Sequence, residues 1–129
     1  MLANLLIIDD SELCLSVIDT VIQESHLSEK VSVTLCQQAL KAKELLTKQN
    51  FDLVITDIIM PDVEGYELIS YIKERSQSSV LAISSGYGKE DPAVVLETAK
   101  KFGADEVLLK LNLRQELIST INQYILRAA

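Results

Sequence analysis

Four places in this chain carry side chains suited to handling a phosphoryl group. Asp57 closes the run Phe51-Asp52-Leu53-Val54-Ile55-Thr56. Asp9 and Asp10 follow Leu5-Leu6-Ile7-Ile8, Ser84 and Ser85 follow Val80-Leu81-Ala82-Ile83, and Lys110 follows Val107-Leu108-Leu109. Each preceding run is apolar and short enough for a buried strand. In a parallel sheet all strand C-termini lie on one edge, where open α/β folds bind ligands. Three carboxylates, a hydroxyl and an ammonium would then share one cleft. That set can hold a divalent cation and a phosphoryl group.

Each residue also has a plainer use. One of two adjacent acids after a strand can cap the next helix while the other faces water. Lys110 alone reads as a surface lysine, and Ser84 alone as a small loop residue. Asp57 shifts the balance, because two carboxylates about 5 Å apart repel by roughly 3 kcal/mol at an effective dielectric of ~20. Three converging acids therefore call for a proton or a cation. A hard ion such as Mg²⁺ prefers carboxylate and carbonyl oxygens plus water, and it shares its shell with phosphates.

The elements that must position these residues alternate along the chain. Strands are expected over about Asn4–Ile8, Lys30–Leu35, Leu53–Thr56, Val80–Ile83 and Glu106–Leu109. Between them lie amphipathic segments, the pattern of βαβ units and a parallel sheet. The first helix is expected from Ser11 to Glu24, with Cys14, Val17, Ile18, Val21 and Ile22 on its apolar stripe. The second carries Ala39, Leu40, Ala42, Leu45 and Leu46, and the third turns Leu68, Ile69 and Ile72 inward. Met60 to Gly65 and Ser84 to Gly88 read as loops. Asp91-Pro92 suits a helix start, and Gly103 after Phe102 suits a left-handed helix end. The last helix runs from about Asn112, burying Leu113, Leu117, Ile118, Ile121, Ile125 and Leu126.

Bulk properties narrow the function classes. A chain of 129 residues suggests a single domain, 1–129, with no output domain attached. No apolar run approaches the ~20 residues of a membrane span, and Asp9-Asp10 interrupt the N-terminal apolar stretch, so a cytoplasmic protein without a signal peptide is expected. The net charge of -7 and scattered lysines argue against direct nucleic-acid binding. Cys14 and Cys36 read as small buried hydrophobes in a reducing compartment, and His26 as a solvated loop residue, so no zinc site is expected.

The chain resembles the receiver domain of two-component response regulators. The resemblance rests on Leu6-Ile7-Ile8-Asp9-Asp10, on Asp57 to Gly65 (Asp-Ile-Ile-Met-Pro-Asp-Val-Glu-Gly), on Ile83-Ser84-Ser85-Gly86 and on Gly103 to Lys110. It implies a doubly wound, flavodoxin-like (βα)5 fold with strand order 2-1-3-4-5. It implies that Asp57 accepts a phosphoryl group from the phosphohistidine of a histidine kinase or phosphotransfer protein. Mg²⁺ would be held by Asp10, Asp57 and the main-chain carbonyl of Ile59, with Asp9 acting mostly through water. Ser84 would be the switching hydroxyl and Lys110 the partner of the phosphoryl group. The chain would catalyse its own phosphorylation without turning over a separate substrate. The output would be an altered protein-binding face, with Lys100, Lys101, Asp105, Glu106, Arg114 and Gln115 exposed on it. That face would serve a downstream target, a fused effector or a homodimer.

Three positions depart from the family pattern. Val107 stands where an aromatic switch residue is usual, so ring rotation there cannot be the readout. Leu111 follows Lys110 where proline is usual, and a trans bond is expected, since a cis bond before a non-proline residue costs ~3 kcal/mol. Ser84 replaces the more usual threonine and keeps the hydroxyl. These departures leave open a receiver that binds partners without phosphorylation. An aspartyl-phosphate phosphatase of the haloacid dehalogenase type would need an acid two residues after the nucleophile, where this chain has Ile59. A flavodoxin-like cofactor binder would set strand-end acids against a flavin phosphate.

Overall fold

The structure, a computed structural model, describes residues 2–58, 65–84 and 91–128. The strands are β1 Ala3–Ile8, β2 Val31–Cys36, β3 Leu53–Asp57, β4 Ser79–Ser84 and β5 Glu106–Leu109. The helices between and after them are α1 Glu12–Gln23, α2 Ala39–Lys48, α3 Gly65–Arg75, α4 Pro92–Lys101 and α5 Leu113–Ala128. All strand pairs are parallel, in the order β2-β1-β3-β4-β5. This is the doubly wound, flavodoxin-like fold expected from the sequence.

Period-two alternation splits each strand between two cores. Leu5, Ile7, Ile55, Leu81 and Ile83 pack with α1 and α5, through Leu15, Ile18, Ile22, Leu117 and Ile121. Leu6, Ile8, Val54, Val80 and Ala82 pack with α2, α3 and α4, through Ala42, Leu68, Ile69, Ile72 and Ala99. With helices on both faces the central strands read as unbroken apolar runs.

Helix ends follow local chemistry. The Ser11 hydroxyl accepts from the Cys14 N–H at the start of α1, and the Asp91 carboxylate accepts from the Ala93 N–H at the start of α4. At the end of α4 the Gly103 N–H bonds the Lys100 carbonyl and the Ala104 N–H bonds the Ala99 carbonyl. That pair of bonds is a Schellman ending, and Gly103 has the positive φ of 117° it requires. A side chain there would also press on Lys73.

Several details differ from the sequence expectation. β3 and β4 each run one residue further, to Asp57 and Ser84, because the ladder continues through the polar residues. On α1 the buried residues are Leu15, Ile18 and Ile22, while Val17 is exposed. Leu126 of α5 is exposed, and the buried residue beside it is Tyr124, whose hydroxyl donates to the Asp105 carbonyl at 3.0 Å. His26 opens a 3-10 turn, His26–Glu29, and is exposed. Among the described residues no helix is long and apolar enough to cross a membrane.

Candidate functional site

Four strand ends, those of β1, β3, β4 and β5, build the site. β1 and β3 are hydrogen-bonded neighbours, with Ile8 opposite Thr56. The residues that follow, Asp9 and Asp57, therefore meet at the same sheet edge. Asp10 comes next after Asp9. One carboxylate oxygen from each of Asp9, Asp10 and Asp57 lies within 4.8 Å of the other two. Asp9 and Asp57 are buried, at 1% and 7% exposure, and Asp10 is exposed. This is the cluster anticipated from the sequence. Its oxygen-only donor set suits a hard divalent cation, and the open Asp10 side leaves room for water or a phosphate oxygen.

β1 and β3 lie at the point where the strand order reverses direction, so the acids sit at the topological switch point. Asp9 does two jobs there. Its Oδ1 accepts from the Ser11 N–H at 2.9 Å, helping to start α1. Its Oδ2 lies 3.2 Å from the Lys110 ammonium. The helix cap itself is Ser11, not one of the acids, and Asp9 holds that cap residue in place while it serves the cluster.

Lys110 leaves β5 and opens a 3-10 turn, Lys110–Asn112. Its Nζ is 3.2 Å from Asp9 Oδ2, 3.6 Å from Asp57 Oδ2 and 3.5 Å from Cys14 Sγ. The ammonium donates to Asp9 and Cys14 and forms an ion pair with Asp57. Burial disfavours the ammonium, but the Asp57 charge, then the Asp9 charge and hydrogen bond, and finally Cys14 outweigh it. The net effect holds the Lys110 pKa above its ordinary 10.5. A folded pKa raised above the unfolded value contributes stability at all pH below 10.5, and that stability is lost as pH climbs through the folded pKa. Urea denaturation between about pH 9 and about pH 12 checks this, with the native chain expected to weaken more steeply at the alkaline end than Lys110→Met. Parallel profiles would disprove the coupling.

Ser84 is the last residue of β4, is buried, and pairs in register with Leu109, the residue before Lys110. Asp57 pairs with Ile83. The hydroxyl is therefore one step along β4 from the partner of Asp57. Ile59, expected to offer its carbonyl, and Ser85 and Gly86 lie outside the described residues. The Lys110–Leu111 bond is trans, and Leu111 is 84% exposed. Val107 packs at the border of the α2–α3–α4 core.

The contact between Cys14 and Lys110 was not visible in the sequence, where Cys14 reads as a small hydrophobe. Both residues line a groove of about 440 Å³ with Leu13, Val17, Leu111 and Arg114. Lys100, Lys101, Arg114 and Gln115 are exposed as expected. Asp105 is also exposed as expected, and its carboxylate is held in place. Its carboxylate accepts from Lys73 at 2.9 Å and from the Val80 N–H at 2.7 Å. Glu106 is half-buried, with a carboxylate oxygen 3.4 Å from the Tyr124 hydroxyl.

Comparison with known proteins agrees with this geometry. The response regulator receiver domain family matches residues 5–122. The two-component response regulator ARR10 of Arabidopsis thaliana is 34% identical over 126 residues, covering 96% of this chain and 21% of the relative. Among solved structures, a Francisella response regulator receiver domain has a TM-score of 0.83 at 23% identity, covering 98% of this chain and 99% of that one. The chemotaxis protein CheY4 of Vibrio cholerae has a TM-score of 0.79 at 21% identity, covering 96% of this chain and 99% of that one. These two likenesses speak to the fold. The chain spans about one fifth of the length of the curated relatives it matches first, 21% and 20%. The match over nearly the whole chain, joined to the strand-end acids and Lys110, makes this chain a member of the response regulator receiver domain family.

Proposed function

We propose that this chain is a phosphoacceptor switch in which Asp57 takes a phosphoryl group from the phosphohistidine of a histidine kinase or phosphotransfer protein. The observation that carries the reading is the carboxylate triad Asp9, Asp10 and Asp57 within 4.8 Å, with the Lys110 ammonium 3.6 Å from Asp57. A carboxylate oxygen of Asp57 forms the new P–O bond while the P–N bond to the imidazole breaks, and the electron pair leaves with the ring nitrogen. Such transfers need an aligned nucleophile and charge neutralisation more than proton chemistry. Asp57 supplies the nucleophile at the open end of β3. Lys110 offsets the added negative charge, and Ser84 offers a hydroxyl to a phosphoryl oxygen. Asp10, Asp57 and the Ile59 carbonyl would hold Mg²⁺, with Asp9 assisting. When bound, Mg²⁺ neutralises charge between the carboxylates and the transferring group.

The chain works in the cytoplasm and promotes its own phosphorylation by the donor without turning over a separate substrate. A target protein, a fused effector or a second copy of the receiver reads the altered face that includes α4, β5 and α5. Intact-mass analysis after incubation with Mg²⁺ and acetyl phosphate tests the reading. A single metal-dependent phosphoryl adduct is expected, and well-folded protein without one would overturn it.

Asp10→Ala removes the exposed member of the triad. It is expected to weaken Mg²⁺ binding at least ~10-fold, since even partners one shell further out cost that much. It should slow labelling while leaving the fold intact. Unchanged affinity in a calorimetric titration would exclude Asp10 as a ligand.

A further inference from the structure

We propose that the stacked rings of Tyr66 and Phe102 link the end of β3 to α4, so that a change at Asp57 is passed to α4 through α3. The link begins at Ile58, which follows Asp57 and whose N–H donates to the Ile83 carbonyl at 3.2 Å. Gly65, the first residue of α3, lies so close to Ile58 that a Cβ on it would occupy the Ile58 carbonyl group. The main chain after Asp57 and the start of α3 are therefore in direct contact, and neither can move toward the other independently.

Tyr66 is the next residue. Its ring stacks on Phe102 with centroids 5.3 Å apart and planes 16° from parallel. Its hydroxyl makes a long contact, 3.5 Å, to the Val95 carbonyl. One side chain thus touches both the first half of α4 and the residue that ends it. Tyr66 also borders the core cluster that contains Ile58, Val95 and Ala99, and Val107 borders the same cluster without a ring.

The far end of α3 is anchored separately. Lys73 donates to the Asp105 carboxylate at 2.9 Å and to the Ser78 carbonyl at 3.3 Å, and Asp105 accepts from the Val80 N–H. α3 is thus pinned near its C-terminal end and linked to α4 near its N-terminal end. A shift of Ile58 turns α3 about the pinned end and moves Tyr66 along α4. Stacked aromatic faces resist separation and still permit sliding.

This inference rests on the proposed phosphorylation of Asp57, and two readouts keep the two apart. The full chain is held at steady state with Mg²⁺ and excess acetyl phosphate. Intact mass reads the adduct, and amide hydrogen exchange over residues 92–101 reads α4. In the native chain, phosphorylation is expected to change exchange across α4 by roughly threefold or more, the scale on which single residues modulate such coupling. Tyr66→Leu and Phe102→Leu should form as much adduct as the native chain and lose that change. Tyr66→Phe keeps the ring and should keep the response, which guards against variants that simply fold badly. An equal response in Tyr66→Leu and Phe102→Leu overturns the link. So does an unresponsive α4 in fully phosphorylated native protein, or a loss in Tyr66→Phe, which would assign the role to the hydroxyl. No adduct in the native chain overturns the phosphoacceptor reading itself, and the link falls with it.

Discussion

Asp57→Asn is expected to abolish phosphoryl uptake, a loss of at least ~1000-fold, because a neutral amide is a far weaker nucleophile than a carboxylate. The replacement is nearly isosteric, so the end of β3 should keep its place opposite Ile83. The stability outcome depends on competing charges. Two carboxylates within 4.8 Å of each other repel by at least about 3 kcal/mol at an effective dielectric of ~20. Lys110 already relieves part of that, standing 3.2 Å from Asp9 and 3.6 Å from Asp57. In the variant Lys110 keeps its shorter contact to Asp9, and the cluster loses one negative charge. The metal-free variant should therefore match the native chain within ~1 kcal/mol in urea denaturation. Mass analysis of the two proteins in the same phosphodonor settles the chemical half. Labelling of Asp57→Asn at the native rate would remove Asp57 from the role of nucleophile.

Gly65→Ala should destabilise the fold by about 3 kcal/mol, at the upper end of what overpacking costs. Helix propensity alone argues the opposite, since alanine favours a helix by ~1 kcal/mol over glycine. Packing wins because the new methyl would fall on the main chain of Ile58, whose own N–H is held by its bond to the Ile83 carbonyl. α3 cannot retreat without cost, as Leu68, Ile69 and Ile72 on its inner face are fully buried. No unusual backbone angle is involved, since Gly103 alone has positive φ among the described residues. The glycine is needed for closeness. Urea midpoints decide it, and a neutral or stabilising Gly65→Ala would mean that the two segments are not in contact.

The fold and the acid cluster were legible because buried parallel strands carry few polar residues until they reach the ligand edge. Leu5-Leu6-Ile7-Ile8 and Leu53-Val54-Ile55 announce themselves, and the first acids beyond them mark the site. The same rule misjudges the strand ends, since hydrogen bonding continues through Asp57 and Ser84 whatever their side chains. α1 misled for another reason. Leu13, Cys14, Leu15, Val17, Ile18, Val21 and Ile22 wrap apolar surface most of the way round, so spacing could not say which face meets the sheet. Tyr124 was overlooked because its ring is apolar while its hydroxyl is not, and the partner it needs, the Asp105 carbonyl, sits 19 positions away. The contacts of Lys110 with Cys14, and of Lys73 with Asp105, join residues 96 and 32 positions apart. Such pairs become visible only once the sheet order has been built.

That sheet order also sets the course of assembly. β1 and β3 pair from Leu5 to Leu53, 48 positions apart. The other ladders pair Ala3 with Val31, Leu53 with Ser79 and Leu81 with Glu106, separations of 28, 26 and 25. Closing the longer loop costs only about 0.5 kcal/mol more than closing one of 26, so equilibrium stability barely registers it. A ribosome delivering the chain from its N-terminus registers it strongly. One edge of β1, with Leu5 through Ile8, stays unpaired until β3 has emerged, and an open apolar edge is where nascent chains stick to one another. The seam that brings Asp9 and Asp10 to Asp57 is therefore also the seam at which the newborn protein is most vulnerable.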